Sequence, residues 1–320
     1  MNNHQLLEII DGFHNLNIVV IGDIMLDKYI WGDVNRISPE APVPVVNVDR
    51  VEYRVGGAGN VATNLAGMSC HSSILAITGN DHNADILEEH LREHNVKALF
   101  DKDKKRCTTV KSRIIAQRQQ LVRMDNEVID NFSSRQTEKL LKKITSTGDQ
   151  IDAIILSDYA KGLLTKNFIQ HIIREFNNTP VIIDPKVRNY ERYRGATVIK
   201  PNYKEFCQAV NKEHISLQDL KKYAAQIVEK FDFAGLIVTL GENGVFYFDD
   251  GRSEIIPTEA HEVYDVSGAG DTFTAAFTPG LIISDDFAKA ARIGNLASAV
   301  AVEKVGTAAV TKEELIKKIG

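Results

Sequence analysis

Short apolar runs alternate with helix-length amphipathic segments from about residue 134 onward, and this alternation constrains the fold more than any other feature. The predicted strands in this part are IDAIILSD (151–158), PVIIDP (180–185), ATVIKPN (196–202), GLIVTLG (235–241) and GVFYFDD (244–250). The predicted helices cover roughly 134–147, 165–176, a pair within 202–230 and two alanine-rich helices within 269–303. Such alternation produces parallel βαβ units with right-handed crossovers. We therefore predict an α/β fold with a mainly parallel central sheet flanked by helices.

The N-terminal half adds one more buried strand and two polar-faced β segments. NIVVIG (17–22) follows a short leading helix and is a continuous apolar run that ends in glycine, as expected of a buried central strand. Residues 43–55 predict two short strands, and residues 108–125 predict a hairpin or strand pair. The sequence contains no internal repeat and no linker. We expect a single domain over 1–320, in which about 30–55 and 105–125 form a small β-sheet lid.

Charge and composition argue against several classes of protein. A formal net charge of −5 does not suit a dedicated nucleic-acid or membrane-surface binder. No apolar run reaches the roughly 18 residues of a membrane span, and the N-terminus lacks the pattern of a signal peptide. The three cysteines, Cys70, Cys107 and Cys207, are widely spaced, which indicates reduced thiols rather than disulfides or zinc ligands. We expect a cytoplasmic protein that acts on small molecules.

Two motifs resemble common sites but stand in the wrong context. GGAGNVA (56–62) matches a dinucleotide-binding pattern, which should directly follow the first buried strand. Here a polar β segment precedes the glycines, which argues against a NAD-dependent oxidoreductase. His90 and His94 form an H-x-x-E-H pattern of the kind that binds zinc. They lie on the charged face of a predicted helix without a third ligand, and we interpret that face as solvated.

The stretch VYDVSGAGDTFTAAF (263–277) places glycines and an aspartate at the start of a predicted helix. The N–H groups of Gly268, Ala269 and Gly270 would be unpaired donors at that helix start, where the helix dipole also favours an anion. Asp271 in the first turn would then be placed to accept a proton from a hydroxyl that attacks a phosphate. The alternative is a plain N-cap formed by Asp265 or Ser267. Pro279-Gly280 is expected to kink or end this helix.

Two stretches carry a resemblance to one enzyme family. DVSGAGDTFTAA resembles the C-terminal signature of the ribokinase (PfkB) family of carbohydrate kinases, and GGAGNVATNLA resembles its N-terminal signature. The match covers essentially the whole chain. It implies a mainly parallel sheet with a β lid over the sugar, and transfer of the γ-phosphate of ATP to a sugar hydroxyl with Mg²⁺. It makes Asp271 the catalytic base and Gly268, Ala269 and Gly270 the anion hole.

The same resemblance implies a nucleotide site and a cation site. Asn202-Tyr203-Lys204-Glu205 matches the family's N-x-x-E, in which the glutamate organises Mg²⁺ through water; a simple capping box is the other interpretation. The remaining implied ATP-binding residues are Thr239, Gly241 and Gly244 of a T-x-G-x-x-G loop, and Asn295 near the adenine. Asp265 and the Gly306-Thr307 region correspond to a loop for a monovalent cation such as K⁺. A homodimer through the β lids is a further expectation.

The stretch GDIMLDKYIWGDVNRISPEAPVPVV (22–46) resembles the opening of bacterial kinases of D-glycero-β-D-manno-heptose 7-phosphate. That resemblance implies sugar-binding roles for Asp23, Asp27, Gly57 and Asn60, and phosphorylation at the anomeric hydroxyl. A phosphorylated sugar also needs a cationic pocket. The candidates are Lys111, Arg113, Arg118, Arg123, Lys161, Lys186 and Arg188, of which Arg113, Lys161 and Lys186 are preferred.

Several alternatives remain open at this point. The acceptor could be another sugar, sugar phosphate or nucleoside, or the chain could be a sugar sensor without activity. Many heptose kinases are fused to a C-terminal nucleotidyltransferase, but this sequence has no H-x-G-H motif. We therefore expect no such domain here, and either a stand-alone kinase or the kinase half of a bifunctional enzyme.

Overall fold

The computed structural model describes residues 3–117, 119–145, 148, 150–260, 262–304, 306 and 308–320. Within these residues there are thirteen strands and ten α-helices. The strands are β1 (Asn17–Gly22), β2 (Ile24–Ile37), β3 (Pro44–Gly57), β4 (His71–Gly79), β5 (Lys97–Asp103), β6 (Val110–Ala116), β7 (Gln119–Asn126), β8 (Ala153–Ser157), β9 (Val181–Asp184), β10 (Val198–Ile199), β11 (Gly235–Thr239), β12 (Val245–Asp249) and β13 (Arg252–Ile256). The helices are α1 (Asn3–Asp11), α2 (Ala58–Gly67), α3 (His82–Glu93), α4 (Ser134–Thr145), α5 (Lys166–Glu175), α6 (Tyr203–Ala209), α7 (Leu220–Phe231), α8 (Ala269–Ser284), α9 (Phe287–Val302) and α10 (Lys312–Ile319).

A nine-stranded sheet forms the centre of the molecule, in the order β13-β12-β11-β10-β9-β8-β1-β4-β5. The pairs β11–β12 and β12–β13 are antiparallel, and the other pairs in this sheet are parallel. Alternate residues of the buried strands point into two hydrophobic cores. Ile18 and Val20 belong to one core, and Val19 and Ile21 belong to the other. The predicted α/β architecture is confirmed. Strands β4, β5 and β13 of this sheet were not predicted.

The carboxyl ends of several strands lie together on one edge of the central sheet. β1 lies between β8 and β4, so the strand order reverses at β1. In open α/β sheets, ligands bind at such a reversal, outside the carboxyl ends of the strands. Polar residues stand at or just after several of these ends, namely Asp23, Asp158, Asp184, Lys200 and Thr239. The fold therefore gathers chemistry-bearing side chains on one edge of the sheet.

A separate four-stranded sheet has the order β3-β2-β6-β7 and occupies the predicted lid segments. The hairpin prediction for 108–125 is confirmed by the antiparallel pair β6–β7. The prediction of two short strands within 43–55 is wrong, because β3 continues from Pro44 to Gly57 while paired with β2. Register shifts next to Gly32 and Arg36 absorb the irregular pattern without ending the strand.

Helix α8 does not end at Pro279-Gly280, so the part of the prediction that placed a helix end there is wrong. The helix runs to Ser284 with Pro279 inside it. Gly280 packs close to α9, where a Cβ would come within 3.3 Å of the Cα of Ala290, and the rings of Phe273 and Phe277 on the same helix stack on each other. This tertiary packing outweighs the local helix-breaking preference of proline.

In the part of the chain that the structure describes, no helix combines the length and the apolar character that crossing a membrane requires.

Candidate functional site

A cavity of about 250 Å³ opens at the carboxyl edge of the central sheet, in front of the start of α8. Its walls come from four strand ends, the start of α6 and the start of α8. The lining residues are Asp158, Tyr159, Asp184, Pro185, Lys186, Lys200, Asn202, Glu205, Thr239, Gly268, Gly270 and Asp271. Four carboxylates (Asp158, Asp184, Glu205 and Asp271) and two lysines (Lys186 and Lys200) therefore line one small space beside backbone donors. The lysines and backbone N–H groups suit a phosphate, and the carboxylates suit a cation or a proton bound with it.

Asp271 lies in the first turn of α8 and is 6% exposed. Each of its carboxylate oxygens accepts one hydrogen bond. The amide of Asn60 donates to Oδ2 over 2.9 Å, and the hydroxyl of Tyr159 donates to Oδ1 over 2.7 Å. Because each carboxylate oxygen has two acceptor positions, Asp271 can still accept a proton from a ligand.

Burial raises the pKa of Asp271 to about 6. The nearby negative charge of Asp184 acts in the same direction, while the hydrogen bonds from Asn60 and Tyr159 and the charge of Lys200 oppose the shift. A carboxylate of this pKa is ionised at neutral pH yet is a stronger base than an ordinary aspartate.

Asp184 and Lys200 form a buried ion pair beside Asp271, with Nζ 3.0 Å from Oδ2. Thr274 in α8 donates its hydroxyl to the same oxygen over 3.1 Å. Desolvation raises the pKa of Asp184 even though Lys200 opposes it. Sequence reasoning missed these residues. The signal that could have found them is their position directly at or after two predicted buried strands.

The start of α8 has the geometry expected of an anion site. Gly268 has a φ of 81°, in the left-handed region that favours glycine. A Cβ on Gly270 would point toward Lys200, 3.6 Å from its Nζ. Ala269 donates its N–H to the carbonyl of Val266 at 3.4 Å, a long hydrogen bond. Among the described residues, no acceptor is found for the N–H groups of Gly270 and Asp271. These two donors are left for an anion.

The predicted N-x-x-E segment begins α6 as a capping box. Asn202 accepts the N–H of Glu205 over 2.9 Å, and Glu205 accepts the N–H of Asn202 over 3.0 Å. Both residues line the cavity, so the capping and the cavity-lining interpretations hold together. Lys186 places Nζ 3.1 Å from Oε1 of Glu205. Lys186 was predicted for the sugar phosphate, but its partner is a predicted nucleotide residue.

The other predicted ATP-binding residues are spread over a wider area. Thr239 lines the cavity. Gly241 and Gly244 both have positive φ, and a Cβ on Gly244 would lie 2.0 Å from the carbonyl oxygen of Ile256. Two more predicted residues point elsewhere: the hydroxyl of Tyr203 donates to the Ile215 carbonyl over 2.7 Å, and Lys204 is exposed.

Asn295 does not line the cavity described above. It is buried in α9, and its amide donates to the carbonyl of Pro257 over 2.7 Å. This contact fixes the segment that follows β13.

Asp23 is predicted to bind a sugar hydroxyl, and in the structure its carboxylate accepts backbone donors from the loop after β8. Oδ2 accepts the N–H groups of Tyr159 (3.1 Å) and Lys161 (3.0 Å), and Oδ1 accepts that of Leu163 (3.4 Å). Burial raises the pKa of Asp23 to about 6 despite these bonds. The side chain therefore shapes the loop that carries Tyr159.

Asp27 and Arg113, both predicted for the substrate, are brought together across β2 and β6. Nη1 of Arg113 lies 2.6 Å from Oδ1 of the buried Asp27. Burial opposes the charge on Arg113, but Asp27 raises the pKa of the guanidinium. Burial lowers the pKa of Lys111 on the same strand, and the charge of Lys161 contributes.

Lys161 is itself paired with Glu127, its Nζ 2.7 Å from Oε1. The cations Arg113, Lys111 and Lys161 thus group at the junction of the lid and the central sheet. Two of the weaker candidates have local partners: Arg123 pairs with Asp125, and Arg188 donates to Gln208. Arg118 lies outside the described residues.

Gly57 and Asn60 belong to the start of α2. Gly57 has a φ of 61°, and a Cβ there would come within 2.4 Å of the carbonyl oxygen of Asp23. The apparent dinucleotide motif is thus a tight turn from lid strand β3 into α2 that aims Asn60 at Asp271.

Asp265 accepts the N–H groups of Ser267 (2.8 Å) and Gly306 (3.0 Å). Burial would raise the pKa of Asp265, but these donors and the charge of Arg113 lower it below its ordinary value. Thr307, the other predicted member of this loop, lies outside the described residues.

Comparison with known proteins shows the family and the fold of this chain. A family model described as pfkB family carbohydrate kinase matches residues 15–314. Among curated relatives, the bifunctional protein HldE of Geobacter sulfurreducens is 40% identical over 312 residues, which cover 95% of this chain and 63% of that protein. The bifunctional protein HldE of Nitratiruptor sp. is 43% identical over 298 residues, which cover 93% and 64%. The chain therefore spans less than two thirds of the length of these relatives.

Solved structures of low sequence identity share the fold. Phosphofructokinase-2 from Escherichia coli, in complex with potassium, has a TM-score of 0.79 at 19% identity, with 95% of this chain and 98% of that chain covered. Ribokinase from Thermotoga maritima has a TM-score of 0.74 at 20% identity, with 95% and 99% covered. Fold and site together define a ribokinase-like sugar kinase, an enzyme class that uses ATP. The chain belongs to the pfkB family of carbohydrate kinases.

Proposed function

We propose that this kinase transfers the γ-phosphate of ATP to the anomeric hydroxyl of D-glycero-β-D-manno-heptose 7-phosphate. The product is the 1,7-bisphosphate, an intermediate toward ADP-heptose for the lipopolysaccharide core. The observation that carries the chemistry is Asp271, a buried carboxylate with a pKa near 6 at the mouth of a helix with free N–H groups. The resemblance of residues 22–46 to heptose 7-phosphate kinases carries the choice of sugar.

In this mechanism Asp271 accepts the proton of the anomeric hydroxyl as that oxygen attacks the γ-phosphorus. A new O–P bond forms while the bond from the γ-phosphorus to the bridging oxygen of ADP breaks. The N–H groups at the start of α8 stabilise the negative charge that develops on the transferred group. Lys200, buried against Asp184, adds a fixed positive charge on the same wall.

The residues of the cavity fit a magnesium ion that is held mostly by nucleotide and water. Glu205 and Asp184 supply carboxylate oxygens, but the described residues contain no cluster of three acidic, histidine or cysteine side chains able to hold a metal alone. Mg²⁺ keeps several waters and binds one or two carboxylates plus substrate phosphates. When bound, it would neutralise charge on the β- and γ-phosphates, with Glu205 holding its waters.

The sugar phosphate is assigned to the cations at the junction of the lid and the central sheet. Arg113 is fixed by Asp27, so its remaining donors can be aimed at a phosphate while Asp27 accepts from a sugar hydroxyl. Lys111 is half-buried with a lowered pKa, and such a cation gains most from an anionic partner. A monovalent cation at Asp265 is compatible with the free acceptor positions of that carboxylate.

A homodimer through the lids is supported by exposed apolar side chains on the small sheet. Val48 and Val51 on β3, and Leu121, Val122 and Met124 on β7, are all exposed. Both strands are edges of that sheet, and unpaired edges with apolar side chains favour association with a second copy.

The decisive experiment measures ADP release from Mg-ATP by the purified chain with a panel of acceptors. The panel contains heptose 7-phosphate, the unphosphorylated heptose, fructose 6-phosphate, fructose, ribose and adenosine. Turnover confined to heptose 7-phosphate is expected. Turnover with an unphosphorylated sugar would keep the role of Asp271 and reject the phosphate pocket. Binding of ATP without turnover on any acceptor would contradict the proposed function.

A further inference from the structure

We propose that Tyr159 is a positioning residue for the catalytic base, and that Asp23 holds Tyr159 in place for this task. The inference rests on the proposed role of Asp271. It assigns Tyr159 a hydrogen bond that orients the carboxylate and keeps it ionised, without contact between Tyr159 and the transferred phosphate.

The loop after β8 has little freedom at Tyr159. Its N–H is held by Oδ2 of Asp23, and the same carboxylate binds the N–H groups of Lys161 and Leu163. Ala160 between them has a φ of 57°, an unusual conformation that these bonds fix. From this fixed backbone the ring extends toward Asp271, and its hydroxyl ends 2.7 Å from Oδ1.

The other oxygen of the base is fixed just as firmly. Asn64 donates its amide to Oδ1 of Asn60 over 3.1 Å, which leaves the amide nitrogen of Asn60 to donate to Oδ2 of Asp271. The oxygen of Asn64 in turn accepts from the hydroxyl of Thr272 and from the N–H of Val310. With one donor on each oxygen, the plane of the carboxylate is determined on both sides.

The charges around Asp271 explain why two donors are needed. Burial and the carboxylate of Asp184, at the end of β9, both favour the protonated form of the base. Lys200 after β10, Asn60 on α2 and Tyr159 after β8 favour the ionised form. Burial and the nearby carboxylates keep the pKa of Tyr159 far above its ordinary value, so its hydroxyl remains a donor throughout the working range.

The test is the pH dependence of kcat/KM for Tyr159→Phe, measured by ADP release with the best acceptor of the panel. If loss of the donor moves the pKa of the base from about 6 to about 7, kcat/KM should fall by about fivefold at pH 6 and by about twofold at pH 7. The acid limb of the profile should move to higher pH by about one unit, with much of the rate recovered in alkaline buffer. The ionisation of the acceptor is the same for both proteins, so the difference between the profiles reports the base.

Tyr193→Phe is the matched control, because Tyr193 also donates a buried hydroxyl to a carboxylate, that of Asp158, over 2.6 Å. It should lower the melting temperature without moving the acid limb. An acid limb that stays in place in Tyr159→Phe would overturn the inference, even if the melting temperature falls. Turnover that survives in Asp271→Asn would instead overturn the proposed function, so the two failures are distinguishable.

Discussion

Asn60 in α2 donates its amide to Asp271 in α8 over 2.9 Å, although 211 positions separate the two residues. The two glycine-containing signatures of the sequence therefore meet at one carboxylate. One signature supplies the proposed base and its N–H groups, and the other supplies a donor that orients it.

Asp271→Asn should reduce turnover by about two to four orders of magnitude, because general base catalysis contributes roughly 10²–10⁴-fold. ADP release measures the loss, and calorimetric titration with ATP should show that nucleotide binding survives. The amide keeps the size of the side chain. A variant with near-normal turnover would sink the assignment of the base.

The stability of Asp271→Asn relative to the wild type should depend on pH. The pKa of Asp271 is raised from 3.8 to about 6 on folding, so the folded state binds this proton more tightly than the unfolded state. Its contribution to stability is present below about pH 4 and is lost as pH rises through 6. Asparagine does not ionise, so the variant does not lose this stability as the pH rises. The free energy of unfolding of the variant minus that of the wild type should therefore rise by up to about 3 kcal/mol between pH 4 and 7.5.

Urea unfolding at the two pH values measures this difference. Asp33→Asn, at an exposed position of the lid, provides the control and should follow the wild type at both. A gap between Asp271→Asn and the wild type that is the same at both pH values would contradict the buried, shifted carboxylate.

Asp23→Ala should destabilise the fold by more than 2 kcal/mol, because three backbone donors lose their acceptor at a cost of roughly 1–3 kcal/mol each. It should also lower kcat, since the loop no longer holds Tyr159. Asp81→Ala is a suitable comparison, because Asp81 accepts from the N–H groups of Ala84 and Thr108 and from the hydroxyl of Thr108. That variant should lose stability without a matching loss of kcat. Normal stability in Asp23→Ala, with only a raised KM for the sugar, would favour direct sugar binding instead.

Arg113→Gln and Lys186→Ala should affect different substrates. Arg113→Gln should raise the KM for heptose 7-phosphate by about tenfold, because the variant loses a charge-assisted hydrogen bond to the phosphate. The KM for ATP should stay nearly unchanged. Lys186→Ala should raise the KM for ATP, because Lys186 lies against Glu205 in the cavity. Initial rates with each substrate varied separately give both constants. The opposite pattern would return Lys186 to the sugar phosphate, as the sequence alone predicted.

Val122→Glu should convert a lid-mediated dimer into a monomer, because a charge on the exposed edge strand β7 opposes burial of that surface. Light scattering during size exclusion gives the mass. Leu217→Glu, at an exposed apolar position between α6 and α7, should leave the mass unchanged. A monomeric wild-type chain, or a dimeric Val122→Glu, would contradict association through the lid.

The strands and helices of the second half could be predicted because apolar runs of strand length report burial directly. The order of those strands in the sheet is not a local property, so the convergence of Asp184, Lys200 and Tyr159 on Asp271 could not be seen. Asp184 and Lys200 lie near the ends of the predicted strands 180–185 and 196–202, Tyr159 follows the predicted strand 151–158, and these positions were the available signal. Pro279 misled the prediction because packing between α8 and α9 outweighs local preference. The contact of Asp23 with the loop after β8 was not predicted, because a sequence motif does not show hydrogen bonds to backbone groups that are distant along the chain.

The N–H of Val310 donates to the side-chain oxygen of Asn64 and so connects the last part of the chain to the proposed active site. Turnover should therefore require that this last part has docked. The orientation of Asp271 depends on α2, on the loop after β8 and, through Asn64, on the segment before α10. These pieces come from the beginning, middle and end of the chain. Contacts between such distant segments form late, because the entropy of closing long loops must be overcome first. A chain with its sheet formed but its last segment undocked could present the cavity and still lack the oriented carboxylate of Asp271, the proposed base.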